Sequence, residues 1–289
     1  MIEALDNGAL YLIQLGGGCR YGYYAELQEK ILKDLGYKFK IYNLVNGKAN
    51  IFKMYKTIKK IDKKANIFKI LHYLLITINM IKYMDKIDNY IRQNIGFVEE
   101  KEKLKELNNK MLKEFSKTKN LIHLYKIYKK YNKEIKKINV IKNNPIKVGV
   151  IGELYTIMEP FSNYYLEETL ASYNIEVKRF TNVMHLLFTN KKKYIKKTNR
   201  FLKYKLGADS SCNVYFTSYL CHKKYDGIIH IKSSFCTPEI EVIPIIDKIA
   251  HNNDVPIIYF SFNAETSETG IKTRLEAFND MIEMRKNKI

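Results

Sequence analysis

Two cysteines stand at positions where a protein could hold a metal centre. Cys19 follows a continuous apolar run, residues 9–15, and Cys236 ends the predicted strand segment YDGIIHIKSSFC. Each lies just past the carboxyl end of a predicted parallel strand and at the start of a predicted helix, where open α/β sheets bind ligands. A helix amino terminus favours the thiolate form of cysteine, which is the donor that soft metal centres require. Neither cysteine belongs to a CxxC pair, so spacing alone predicts no zinc or ferredoxin motif.

The other two cysteines belong to one predicted helix, SSCNVYFTSYLCHKKY. Cys212 and Cys221 are nine residues apart in the sequence, which separates them along the helix axis. We interpret Cys221 as a core residue and His222 as a solvated residue at the end of the helix, while the role of Cys212 stays open. In a reducing compartment these cysteines predict no disulfide framework.

The glycines before Cys19 and two acidic residues offer weaker signals. GGGCRYG lacks both the GxxxxGK[ST] and the full GxGxxG phosphate-binding patterns, so its glycines are interpreted as making room for a bulky group. Glu153 and Glu159 flank a strand end in GELYTIMEP. Two roles remain as alternatives for their carboxylates: general acid–base catalysis and helix capping. The chain contains no HExxH zinc motif.

The elements that must position these residues begin with a β-α-β unit. Residues 9–15 predict a buried strand, the apolar spacing from Tyr24 predicts a helix that Gly36 ends, and residues 37–44 alternate like a second strand. A helical connection of this kind implies that the two strands are parallel.

A proline-free, Lys-rich stretch follows, and its apolar residues recur at helical spacing. We expect a helical subdomain packed on the β-α-β unit, with a docking surface for another subunit as the alternative. The predicted buried stripe of its first helix comprises Leu71, Leu74, Leu75, Ile78, Ile81 and Met84.

All five prolines lie at or after Pro145, and from there strands and helices alternate to the end of the chain. The predicted fold class is α/β: a flavodoxin-like, doubly wound parallel sheet in the C-terminal half, preceded by a partial β-α-β unit and a helical subdomain. The predicted domains are 1–48, a partial β-α-β unit of a cluster-binding domain; 49–144, the Lys-rich helical subdomain; and 145–289, the flavodoxin-like domain.

The formal net charge of +20 raises the question of a nucleic-acid partner. Residues 1–144 hold 30 Lys and Arg against 14 Asp and Glu, a net charge of +16, whereas residues 145–289 hold 20 against 16, a net charge of +4. The surplus lies in the helical stretch, where tyrosines among the lysines recur at a spacing that suits core packing. A basic nucleic-acid-binding module is therefore the least favoured class, and an acidic partner or an anionic ligand explains the charge equally well.

The sequence predicts a cytoplasmic protein without a membrane-spanning segment. Residues 67–81 are the most apolar stretch, but Lys69, His72 and Asn79 interrupt it and it is shorter than a typical span. No secretory signal precedes the first strand.

Four ordered segments resemble the 2-hydroxyacyl-CoA dehydratase and activator-related family. Residues 2–37 match its Gly-Pro-Cys-Arg-Phe-Gly element, which here runs from Gly17 to Gly22 as GGCRYG, with glycine in place of proline and tyrosine in place of phenylalanine. The other matching segments are VGVIGELYTIMEPFSNYYLEETL, YDGIIHIKSSFCTPEI and SETGIKTRLEAFNDMI.

The resemblance implies flavodoxin-like domains that hold an iron–sulfur cluster between them, a [4Fe–4S] or a related larger cluster. Carried over by position, the cluster ligands are Cys19 and Cys236, whereas Cys212 and Cys221 match no ligand position. The residues expected around the cluster, where backbone amides and a guanidinium would tune its potential, are Gly17, Gly18, Arg20, Thr237 and Pro238.

The resemblance also implies partners and a function. The chain is expected to be the C-terminal portion of a split protein, with a separate polypeptide completing the first domain and supplying a further cysteine ligand, and with an ATP-dependent activator protein as a second partner. The expected activity is low-potential electron transfer or reductive chemistry. The alternative is a non-catalytic scaffold without a cluster, and the residues leave open whether the chain is itself an enzyme.

Overall fold

The computed structural model describes residues 1–16, 19–45 and 51–287. The chain forms two compact units, Met1–Leu74 and Leu75–Ile289, which are described separately. The predicted border at residue 48 falls in the segment 46–50, outside the described residues. The predicted three-domain division stays a prediction.

The first unit contains the expected β-α-β arrangement. Its elements are α1 (Ile2–Asp6), β1 (Tyr11–Leu15), a 3-10 turn (Arg20–Tyr23), α2 (Tyr24–Asp34), β2 (Lys40–Val45), α3 (Ile51–Ile61) and the start of α4 (Ile67–Asn94). β1 and β2 pair in parallel, with Tyr11 opposite Lys40, so the predicted parallel pair is confirmed. α2 is closed by Gly36 at φ +88°, as its sequence position predicted.

The helical part of the second unit has its own apolar core. It comprises the rest of α4, a 3-10 turn (Ile95–Phe97), α5 (Lys101–Phe115) and α6 (Leu121–Lys136). α5 and α6 pack against each other. The buried side chains of this core are Ile76, Ile87, Val98, Leu104, Met111, Phe115, Leu124, Ile127, Tyr131, Ile135 and Ile138.

The predicted buried stripe of α4 is wrong. Leu71, Leu74, Leu75 and Met84 are exposed, whereas Ile76 and Ile87 are buried. The start of α4 is apolar on every side, as IFKILHYLLITINMI shows, so apolar spacing there does not define one face. Within the described part of the chain one helix, over residues 67–97, is long and apolar enough to cross a membrane, and 6% of its apolar window is buried. A single such helix is weak evidence for a span, because core helices of soluble proteins meet the same criteria.

The remainder of the second unit is a four-stranded parallel sheet with helices. Its elements are β3 (Ile146–Gly152), α7 (Leu154–Met158), a 3-10 turn (Pro160–Asn163), α8 (Leu166–Ser172), β4 (Ile175–Arg179), α9 (Val183–Phe188), α10 (Lys191–Thr198), α11 (Ser210–His222), β5 (Gly227–Ser233), α12 (Thr237–Asn252), β6 (Ile257–Phe262) and α13 (Glu268–Asn287). The strand order is β4-β3-β5-β6, and every neighbouring pair is parallel. The predicted α/β class is therefore confirmed.

Helices cover both faces of this sheet. Val150 and Ile229 belong to a core with side chains of α8 and α13. Ile151 and Ile228, the adjacent residues along the same strands, belong to a second core with side chains of α11 and α12. Successive strand residues point to opposite faces, so the continuous apolar run of β3 reflects burial on both sides.

Candidate functional site at the carboxyl edge of the sheet

Cys236 lies at the carboxyl edge of the four-stranded sheet, between β5 and α12. It is the N-cap residue of α12, and its N–H donates to the Ser233 carbonyl at 3.0 Å. Thr237 and Pro238 are the first two residues of the helix, where proline is tolerated because its missing N–H has no intrahelical partner. Cys236 is half-buried. Its predicted position, after a parallel strand and at a helix amino terminus, is confirmed.

Cys19 has the corresponding position in the first unit. It is the N-cap residue of the 3-10 turn Arg20–Tyr23, and its carbonyl accepts from the Gly22 N–H at 2.9 Å. Cys19 is half-buried and follows β1, as predicted. Gly17 and Gly18 lie outside the described residues. Cys19 and Cys236 belong to different units, and the geometry of each is given within its own unit.

A buried lysine lies next to Cys236. The Lys232 side chain extends along the loop after β5, with its Nζ 3.5 Å from the Ser233 carbonyl and 3.4 Å from the Ser234 carbonyl. Burial lowers the pKa of Lys232, and electrostatic attraction to Cys236 and Glu239 opposes that shift. The edge therefore holds a positive charge close to the Cys236 sulfur.

Glu239 is the centre of a buried polar cluster behind this edge. The carboxyl group is 2% exposed; it accepts from Ser210 Oγ at 3.1 Å and from Asn213 Nδ2 at 3.0 Å. Its Oε2 lies 2.8 Å from Nε2 of His230, a fully buried residue of β5. Asn213 Nδ2 also donates to the Gly152 carbonyl at 3.1 Å, so the cluster joins β3, β5, α11 and α12.

This cluster was not predicted from the sequence. Two signals were available: His230 interrupts an apolar strand, and Glu239 occupies the third position of a helix, where an acidic residue normally suggests an exposed cap. Neither signal reveals that the two side chains meet, because that depends on how α12 returns along the sheet.

Glu153 and Glu159 are helix caps. The Glu153 carboxylate accepts from the N–H groups of Tyr155 and Thr156, both at 2.9 Å, at the start of α7. Glu159 accepts from the Phe161 N–H at 3.2 Å. The capping alternative left open by the sequence is confirmed for both residues.

The two cysteines of α11 have a different environment from Cys19 and Cys236. Cys212 and Cys221 are 1% and 6% exposed, and burial raises the pKa of each thiol to about 11. Cys221 is a core residue and His222 is exposed at the end of α11, as predicted. Cys212 lies beside His185 and Asp209, and each of these three residues offers a ligand atom within 4.8 Å of the other two.

A cavity of 310 Å³ lies elsewhere in the second unit. Its wall includes Asp88, Arg92 and Glu167. The two carboxylates are shared by the buried arginines Arg92 and Arg179. Burial lowers the pKa of Arg179, while the attraction of Glu167 opposes that shift. Both guanidinium groups are held by acidic partners, so this cluster is interpreted as structural.

Comparison of the chain with models of known protein families and with curated proteins found no match. The functional assignment therefore depends on the residues and on their geometry.

Proposed function

We propose that the chain is an iron–sulfur protein of the 2-hydroxyacyl-CoA dehydratase and activator-related class, with flavodoxin-like domains and with Cys19 and Cys236 as cluster ligands. The observation that carries the proposal is the sorting of the four cysteines. Two are half-buried N-cap residues that follow parallel strands, whereas two are buried within α11 as high-pKa thiols. The first pair is also the pair that the family resemblance marks.

The surroundings of Cys236 suit a thiolate ligand. The amino terminus of α12, a helix of 16 residues, favours negative charge at its N-cap. Lys232 adds a positive charge close to the same sulfur. Thiolate sulfur is the donor that iron–sulfur clusters require, so the chemistry of this donor fits the group.

The number of suitable cysteines supports a partner. Iron–sulfur clusters are commonly held by four cysteines, and this chain offers two at sheet edges. We therefore propose that a separate polypeptide supplies the remaining donors.

The surface of the first unit agrees with such a partner. Ile13 and Leu15 of β1, Leu27 and Ile31 of α2, and Leu35 just after α2 are all exposed by 48% or more. Exposed apolar side chains mark interaction surfaces where they form one patch.

A bound cluster would supply one-electron transfer at low potential. The chain's own residues would hold it through Cys19 and Cys236. Arg20 and Thr237, each the next residue after one of these cysteines, would donate hydrogen bonds near the sulfur atoms, and such bonds raise the reduction potential of a cluster. A reducing cytoplasm is the proposed compartment, because none of the four cysteines, all of which are described, forms a disulfide.

The test is anaerobic expression of the chain alone and together with candidate partner polypeptides. Iron, acid-labile sulfide and visible absorbance are measured on each purified product. We expect a sulfide-containing cluster in the complex, and its loss in the Cys19→Ala and Cys236→Ala variants. Cys221→Ala is the matched control, because it removes a cysteine without touching a sheet edge.

Three outcomes would contradict parts of the proposal. Sulfide and iron that persist in Cys19→Ala and Cys236→Ala would exclude the ligand assignment. A full cluster in the isolated chain would exclude the need for a partner. A stable complex with neither iron nor sulfide would favour the scaffold alternative.

A further inference from the structure

Three different metal-binding side chains meet at the amino end of α11. His185 belongs to α9, Asp209 is the N-cap residue of α11 and Cys212 lies in the first turn of the same helix. Their exposed fractions are 8%, 8% and 1%, and a ligand atom of each lies within 4.8 Å of the other two. Imidazole nitrogen, carboxylate oxygen and thiolate sulfur are the donors that zinc uses in proteins.

Two observations distinguish His185 and Asp209 from side chains in their usual hydrogen-bonding and capping roles. His185 Nε2 is buried and has no hydrogen-bond partner among the residues that the structure describes. Asp209 occupies an N-cap, the position where aspartate normally accepts from the helix N–H groups, yet its side chain makes no capping bond. Its carboxylate pairs instead with Lys191 of α10.

We propose that His185, Asp209 and Cys212 form a binding site for one divalent transition-metal ion, with Zn²⁺ as the best fit. This site is independent of the proposed cluster ligands Cys19 and Cys236. Bond lengths of about 2.0–2.3 Å in a tetrahedral site place the donors roughly 3.3–3.6 Å apart, so the three side chains must close by at most about 1.5 Å. Three protein ligands leave a fourth position for water or another small ligand.

The surroundings of His185 favour such a site, whereas burial raises the pKa of the Cys212 thiol, so that the bound ion must itself displace the thiol proton. The rings of Tyr194 and Phe216 lie 6.1 and 5.5 Å from the His185 ring, measured between centroids. An apolar shell of this kind orients the imidazole and limits the access of solvent, which strengthens metal binding. Burial also lowers the pKa of His185, which favours the neutral imidazole that binds metals.

Lys191 is the competitor for this site. The Lys191 ammonium group and a metal ion would compete for the Asp209 carboxylate. Metal binding therefore requires Lys191 to release Asp209. The Lys191 side chain is 30% exposed and can turn towards solvent. Metal binding would also displace the Cys212 thiol proton into water, leaving the thiolate as ligand.

The experiment uses the full chain carrying Cys19→Ala and Cys236→Ala, so that the proposed cluster ligands cannot contribute. The metal-free protein is titrated with Co²⁺ under anaerobic conditions, and absorbance is recorded. We expect one equivalent of Co²⁺ to bind, with a thiolate-to-cobalt charge-transfer band and the visible bands of a tetrahedral ion. Zn²⁺ should displace the Co²⁺ and remove both signals.

Variants assign the signal to the three residues. Cys212→Ser should abolish the charge-transfer band and weaken Co²⁺ binding by at least about 100-fold. Cys221→Ser is the matched control, since it alters the other buried cysteine of α11, and it should retain the band. Lys191→Met should bind Co²⁺ more tightly than the parent chain, which a purely structural role of this lysine does not predict.

Three results would overturn the proposal, and circular dichroism checks in each case that the protein is folded. The first is that the parent chain binds no Co²⁺. The second is a charge-transfer band that survives Cys212→Ser, and the third is equal loss of the band in Cys212→Ser and Cys221→Ser. The proposed iron–sulfur function is tested separately by sulfide, which a mononuclear site lacks.

Discussion

At the scale of single residues, burial sets the acidity of the thiols in this chain. Cys212 and Cys221 have pKa values raised to about 11 because the protein interior disfavours a thiolate. At pH 8 about one in a thousand of these thiols is ionised, and the thiolate is the reactive form. Cys19 and Cys236 are half-buried and can be reached by reagents.

This difference predicts two classes of cysteine in a labelling experiment. With the metal-free native protein at pH 8, Cys19 and Cys236 should react promptly with iodoacetamide, whereas Cys212 and Cys221 should react only after urea is added. Peptide mass spectrometry assigns each site. Labelling of Cys221 at the rate of Cys19 in the folded protein would contradict the burial described above.

The raised thiol pKa of Cys221 also predicts a pH dependence of stability. The folded thiol has a pKa of about 11 and the ordinary value is 9.0, so the unfolded thiol ionises first. The contribution of Cys221 is therefore complete below pH 9 and is lost as the pH rises towards 11. Between pH 9 and 11 the free energy of unfolding should fall with pH less steeply in Cys221→Ala than in the parent protein. The two slopes should differ by up to about 1.4 kcal/mol per pH unit. Equal slopes in urea titrations of the two proteins would contradict this prediction.

The Glu239 cluster predicts a large stability effect at one residue. Removing the carboxylate leaves buried polar groups of Ser210, Asn213 and His230 without their shared partner. Glu239→Ala should lower the free energy of unfolding by about 3 kcal/mol or more, measured by urea denaturation. Glu241→Ala, an exposed position of the same helix, is the control and should change it by less than about 0.5 kcal/mol.

At the scale of elements, α2, α11 and α12 end in the same way. In each, three N–H groups beyond the helix donate back to its last turn, and one residue adopts a left-handed conformation. That residue is Gly36 after α2, Lys224 after α11 and Asp254 after α12. Only the first is the glycine that this backbone conformation favours.

Lys224 therefore offers a stabilising substitution. It is exposed, has φ +52° and carries a Cβ that the left-handed conformation disfavours. Lys224→Gly should raise the free energy of unfolding by about 0.5–1 kcal/mol, with a corresponding rise in the thermal midpoint. Lys223→Gly, one residue earlier at φ −84°, should not stabilise the protein. Equal effects of the two substitutions would contradict the role assigned to the left-handed turn.

Local patterns predicted the elements more successfully than the contacts between them. The β-α-β unit, the parallel strands after Pro145 and the end of α2 at Gly36 follow from apolar spacing and turn residues. The end of α11 could not be predicted in this way, because lysine at position 224 is not a residue that indicates a turn.

The contacts of the site depend on residues that are distant in sequence. Asn213 meets Glu239 from 26 residues away, and His185 meets Cys212 only because α9 and the start of α11 come together. Side-chain identity does not encode such meetings. The placement of Cys19 and Cys236 was predictable because it depends on a single strand and the helical segment after it.

At the scale of the whole molecule, ion pairs tie the helical part of the second unit to its sheet. Arg92 of α4 and Arg179 of β4 each have side chains 6% exposed, and both bind Glu167 of α8. Asp88 of α4 completes the network. Each arginine depends on acidic partners from another element, so the network couples the two parts of this unit.

Breaking the network should destabilise the second unit. Glu167→Gln leaves two buried guanidinium groups short of a carboxylate and should lower the free energy of unfolding by about 2–4 kcal/mol. Glu168→Gln is the neighbouring control: it loses one exposed pair with Lys105 and should cost less than about 0.5 kcal/mol. If urea denaturation showed similar decreases in the free energy of unfolding for the two variants, the buried network would contribute no more to stability than the exposed ion pair.

The first turn of α11 has a consequence for the tolerance of the chain to insertions and deletions. Ser210 and Asn213 bind Glu239, while Asp209 and Cys212 lie beside His185. Each residue inserted into a helix rotates the rest of that helix by about 100°. One added or lost residue here would therefore misalign both sets of contacts at once. Length variation should be far less tolerated within residues 209–213 than in the exposed stretch 203–205 just before it.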